Sequence, residues 1–159
     1  MKDGEAGAGE STPRKTATKS SRRRSREFAL QALYQWQLGG DSADVLEQQL
    51  REAKGFDKLD QAYFAELLRG VIAVARELEK MLKPHLDRPI KELSPIEHGI
   101  LLLAAYELVH RPEVPYKVVI NEAVELAKSF GGTDGHKYVN GVLDKLAAEV
   151  RALEIKARA

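Results

Sequence analysis

The chain has 159 residues, 43% hydrophobic and 31% charged, with 25 Lys and Arg against 24 Asp and Glu and no cysteine. That length fits one domain, large enough to bury well over half of its unfolded surface without staples. The lack of cysteine excludes a disulfide framework, a thiol nucleophile and a cysteine metal site, and fits a reducing, cytoplasmic setting. The start, MKDGEAGAGESTPRKTATKSS, has no apolar segment of the secretory kind. The longest apolar run, Ile100 to Tyr106, is too short to cross a bilayer, so no membrane partner is expected. The net charge of +1 conceals a block in which Arg14, Lys15, Lys19, Arg22, Arg23, Arg24 and Arg26 have no acidic residue among them. Such a block either displaces counterions from a polyanion or is a solvated tail, and charge alone leaves the two open.

In chain order, residues 1–20 are rich in Gly, Ser, Thr and Ala and read as a disordered basic tail. A helical domain over 21–153 and a frayed end over 154–159 complete the division. Arg22 to Leu38 runs without Gly or Pro and stops at Gly39-Gly40, which predicts a first helix. Asp41 or Ser42 is placed to cap a short second helix carrying Val45, Leu46, Leu50 and Ala53. Asp57 to Leu82 is the longest periodic stretch, with Phe64, Leu67, Val71, Ala75, Leu78 and Leu82 in its stripe and Lys83-Pro84 closing it.

Ser94-Pro95-Ile96-Glu97 has the pattern of a capping box with proline at the first helical position. The following Ile100 to Val109 is apolar nearly all round, as in the buried centre of a bundle. Val118-Val119-Ile120 suits a strand, but Ile120, Val124 and Ala127, flanked by Ala123, Leu126 and Phe130, continue a helical stripe up to Gly131-Gly132. Thr133 or Asp134 then caps a last helix built on Val139, Val142, Leu143, Leu146, Val150 and Leu153. With no alternating pattern and no repeat, the fold expected is an all-α bundle of about six to seven helices.

Catalytic patterns are missing. His85, His98, His110 and His136 are never three or four apart and have no cysteine beside them, so no metal spacing arises. No G-x-S-x-G occurs, and GGTDGHK at 131–137 lacks both the spacing of a phosphate loop and a preceding strand. Neither an enzyme nor a cofactor is expected.

On a 100° wheel, Phe28, Ala29, Ala32, Leu33 and Trp36 gather on one side of the first helix, and Arg23, Arg24, Glu27, Gln31 and Tyr34 on the other. Arginines suit phosphates, Glu and Gln suit base edges, and Tyr34 offers a ring for an unpaired base, which is how single strands are held. The alternative is that Tyr34 lies over a neighbouring helix and the arginines are merely solvated. Asp134, Lys137 and Tyr138 repeat the pattern in the first turn of the last helix. Lys137 suits a phosphate, Tyr138 a base, and Asp134 either the helix cap, its plainer role, or a base edge.

Three segments, RRRSREFALQALYQWQ (22–37), VPYKVVINEAVELAKSFG (114–131) and HKYVNGVLDKL (136–146), resemble the bacterial transcription antitermination factor NusB family, a similarity spanning Arg22 to Leu146. The resemblance implies two small helical subdomains and binding of single-stranded boxA RNA from ribosomal RNA leaders. It implies as partners the ribosomal protein NusE and an RNA polymerase antitermination complex with other Nus factors, and it leaves a homodimer open. Carried onto this sequence, the family's arginine-rich start falls on Arg22, Arg23, Arg24 and Arg26. Its other RNA contacts fall on Glu27, Gln31 and Tyr34 and on Asp134, Lys137 and Tyr138, and its NusE-facing surface on Glu92 and Glu97. Two departures are Tyr138, where the family usually has Phe, and a longer basic tail. NusB-like domains also occur fused to ribosomal RNA methyltransferases, but a chain ending soon after its last helix has no room for a catalytic domain. A helical protein scaffold is the remaining rival.

Overall fold

A computed structural model describes residues 18–158, apart from the side chain of Arg158; of the tail expected over residues 1–20, residues 1–17 lie outside that description. Seven α-helices account for most of the described residues: α1 Lys19–Gly39, α2 Ala43–Arg51, α3 Gln61–Leu82, α4 Pro95–His110, α5 Tyr116–Phe130, α6 Gly135–Val150 and α7 Ala152–Arg158. Short 3-10 turns occupy Phe56–Lys58, Lys83–His85 and Ile90–Glu92. None of the described residues forms a strand, and none of the described helices is long and apolar enough to cross a membrane.

Local chemistry sets the helix ends. Thr18 and Ser21 form a reciprocal capping box, with Ser21 N–H donating to Thr18 Oγ1 at 2.9 Å and Thr18 N–H donating to Ser21 Oγ at 3.0 Å. The first helix therefore starts at Lys19, earlier than the sequence suggested, and carries the basic residues on its first two turns. It ends at Gly40, whose φ of 74° is the left-handed conformation that glycine adopts cheaply. Ser42 caps α2, Asp60 caps α3 and Ser94 caps α4.

The apolar helix α4 is the hub, with every residue from Gly99 to Leu108 buried. α1 and α3 pack on one side of it and α5 and α6 on the other, around one continuous apolar cluster. All six residues of the predicted α3 stripe are buried. Gly70 allows close approach of α3 and α4: a Cβ there would fall 2.4 Å from Cζ of Tyr106.

Three expectations need correction. Of the end expected to fray over 154–159, residues 154–158 lie in α7, which is anchored by Arg151 and Glu154. Buried Arg151 donates to the carbonyls of Leu108 (2.7 Å), Arg111 (3.1 Å) and Glu107 (3.3 Å), closing the carbonyl end of α4, where a cation is favoured. Glu154 accepts from the Tyr116 backbone N–H at 3.0 Å, at the start of α5. Asp134 holds the N-cap position of α6 but makes no capping hydrogen bond, so the plainer of its two roles is not realised. Phe130, expected beside the core stripe of α5, is 49% exposed.

Candidate nucleic-acid interface

The arginines at the start of α1 divide by what they touch. Arg26 was expected among the RNA-binding arginines through the family resemblance but is only 4% exposed. Its guanidinium donates in a fork to the buried Glu107 carboxylate at 2.8 and 2.7 Å, and Tyr63 O–H donates to the same carboxylate. Burial, then the Glu107 charge, raises the Tyr63 phenol pKa well above its usual value, so it remains a donor. Arg22 leans inward as well, 3.5 Å from Asp60 and 4.2 Å above the centre of the Tyr63 ring. Arg111 lies 5.0 Å from the same ring centre.

Arg23 donates two hydrogen bonds of 2.9 Å to Glu122 on α5. These bonds, then the carboxylate's charge, raise the guanidinium pKa further. Arg24 is exposed and has no ion-pair partner among the described residues.

Farther along α1, Glu27, Gln31 and Tyr34 line one wall of a groove of about 330 Å³, with Phe28 and Leu30 beside them, Ile96 of α4 and Phe130 of α5. Tyr34 is 38% exposed and Phe130 49%, so two aromatic side chains border one open, mainly apolar groove. Close approach of α4 to α1 creates it. Gly99 makes that approach possible, since a Cβ there would fall 2.8 Å from Leu30 Cδ1, and Gln37 donates from its side-chain amide to the Pro95 carbonyl at 2.9 Å.

The second patch is built differently. Lys137 and Asp134 are exposed and 3.6 Å apart. Tyr138 is half-buried, with the Arg88 guanidinium 4.5 Å from its ring centre and the Asp87 backbone N–H donating to its hydroxyl at 3.3 Å. The hydroxyl that distinguishes Tyr138 from phenylalanine is thus engaged, and Arg88 covers one ring face. Hydrogen bonding to Arg88 holds the Asp87 carboxyl below its usual pKa.

Glu97 joins the two patches. It follows Ile96 of the groove, and a Cβ on Gly135 would fall 3.0 Å from its Oε2, so it lies against the start of α6. Of the capping box expected there, the Ser94 half forms, with Glu97 N–H donating to Ser94 Oγ at 3.1 Å. Glu92 is exposed on the turn before α4.

The structure thus brings Glu27, Gln31 and Tyr34 together and sets Asp134, Lys137 and Tyr138 in a second group, linked through Ile96 and Glu97; it withdraws Arg26. The sequence reading did not single out Phe130, Ile96, Arg88 or the two buried carboxylates Glu107 and Glu122 as site residues.

The sequence and the fold have known relatives. The family model described as "NusB family" matches residues 23–148. The chain belongs to the NusB family. The NusB transcription antitermination protein of Ralstonia nicotianae is 59% identical over 144 residues, covering 91% of this chain and 93% of that one. The NusB of Nitrosospira multiformis is 62% identical over 133 residues, covering 84% of each chain. Among solved structures, T. maritima NusB superposes with a TM-score of 0.72 at 31% identity, covering 84% of this chain and 94% of that one. A NusB in a crystal structure of NusB and NusE with double-stranded RNA gives a TM-score of 0.74 at 26% identity, covering 81% of this chain and 97% of that one. The predicted all-helical NusB fold is therefore present.

Proposed function

We propose that this protein is a non-catalytic, cytoplasmic transcription antitermination factor that binds single-stranded boxA-type RNA of ribosomal RNA leaders together with the ribosomal protein NusE. The pair then joins RNA polymerase and other Nus factors to suppress termination. The groove between Tyr34 and Phe130 carries the reading: two exposed aromatic rings flank an open apolar channel one helical turn beyond the exposed Arg24. Stacking of an unpaired base on an aromatic ring contributes about 1–3 kcal/mol without demanding one base, and Glu27 and Gln31 lie where a base edge would be read. From there the strand passes Ile96 and Glu97 to Asp134, Lys137 and Tyr138, where Lys137 meets phosphate and the open face of Tyr138 takes a second base. Glu92 and Glu97 supply the acidic contacts to NusE.

The test is a titration of boxA RNA against a scrambled oligonucleotide, with and without NusE. Preferential binding of boxA, strengthened by NusE, is expected. Equal binding of both RNAs, unaffected by NusE, overturns the reading.

A further inference from the structure

We propose that Glu122 sets the strength of electrostatic RNA binding by withholding Arg23 from phosphate; this rests on the RNA-binding reading above. Glu122 lies on α5, and its side chain is only 3% exposed, while Arg23 keeps 42% of its side chain in solvent. Both Glu122 oxygens accept from Arg23 at 2.9 Å. Among the described residues, the other cation paired with Glu122 is Arg26, 4.0 Å away and already committed to Glu107 in a closer, two-bond pair. Arg23 is therefore the principal counter-charge of a buried carboxylate. A phosphate that drew it away would strand Glu122 without its partner, which a buried ion tolerates poorly. A phosphate that approached the outward side of Arg23 would meet a pair of zero net charge.

Counterion release depends on phosphates neutralised by unspent cations. Arg23 looks like a gripping arginine in the sequence and is electrostatically silent in the fold. Arg24, one residue later, exposed and without an ion-pair partner among the described residues, is not silent. Glu122 thereby keeps attraction to arbitrary RNA low and leaves discrimination to the groove, because phosphate contacts carry no sequence information.

The test measures affinity of the full chain for boxA and scrambled RNA across a range of salt concentrations. Arg24→Ala is expected to flatten the log–log slope by about 0.7. Glu122→Gln keeps an acceptor for Arg23 but frees its charge. It is expected to steepen the slope by about 0.7 and to raise affinity for both RNAs about fivefold at 0.1 M salt. The double variant Arg23→Gln, Glu122→Gln removes the pair without changing net charge and leaves no buried ion stranded, so it keeps the test decisive if the single variant fails to fold. Its slope is expected to equal that of the wild type.

An unchanged slope in folded Glu122→Gln, or a slope flattened by about 0.7 in the double variant, overturns the proposal. If the wild type does not bind boxA RNA, or Arg24→Ala leaves its slope unchanged, the RNA-binding reading is what fails.

Discussion

The start of α1 and the start of α6 both offer cations beside a tyrosine, yet the two are built in opposite ways. At α1 the arginines lie against carboxylates supplied by other helices: Arg26 against Glu107 of α4, Arg23 against Glu122 of α5, and Arg22 near Asp60 at the start of α3. At α6 the charges are local and wet. Lys137 and Asp134 are one turn apart and both largely exposed, and Arg88 pairs with its own neighbour Asp87. Basic residues at α1 are thus mainly part of the fold, and those at α6 mainly part of the surface. Density of charge in a sequence measures charge available to a ligand only where the partners are known.

The largest effect that separates the two ends is on stability. Arg26→Ala leaves Glu107 buried without its counter-ion and is expected to cost about 3–5 kcal/mol in urea unfolding. Lys137→Ala breaks only an exposed pair and is expected to cost under about 1 kcal/mol. Comparable losses for the two variants would erase the distinction.

Next come the rings. Tyr34→Ala and Phe130→Ala are each expected to weaken boxA binding by about 1–3 kcal/mol while leaving the salt slope unchanged, as measured by titration at several salt concentrations. A slope change with either would mean that the groove acts through charge. The smallest effect concerns pH at the α6 end. Asp87 has its folded pKa depressed, first by hydrogen bonding from Arg88. Its contribution is therefore complete above the ordinary aspartate pKa and is lost as pH falls through the depressed folded value. A carboxyl NMR titration should find Asp87 ionised below the usual range, and Arg88→Ala should return it towards that range.

Much of the fold was legible because one-dimensional periodicity suffices for it. The α3 stripe, the apolar α4 and the Ser94 cap follow from spacing alone. The candidate groove was legible where it depends on one helix, since Glu27, Gln31 and Tyr34 do share one wall of it. It was not legible where two helices meet. Phe130 reads as a flank of the α5 stripe, and its exposure beside Tyr34 depends on how closely α4 approaches α1 at Gly99.

Arg26 is the instructive case. It precedes Leu33 by seven residues and Ala29 by three, so it shares the core side of α1, and the wheel contained that information. Glu107 was its complement, a carboxylate in a helix otherwise apolar nearly all round. A charge on a core stripe and an opposite charge in a buried helix call for each other.

The Arg151 guanidinium, seated on the carbonyl end of α4, has a consequence for the order of assembly. α4 is the helix every other large helix leans on, yet its last turn is completed by a residue more than forty positions later. During synthesis the hub can collapse against α1 and α3 early, while the Leu108 carbonyl waits for Arg151 to emerge. Shortening the chain to end before Arg151 would therefore be felt in the middle of the molecule, as a loosened end of the central helix and an unanchored start of α5.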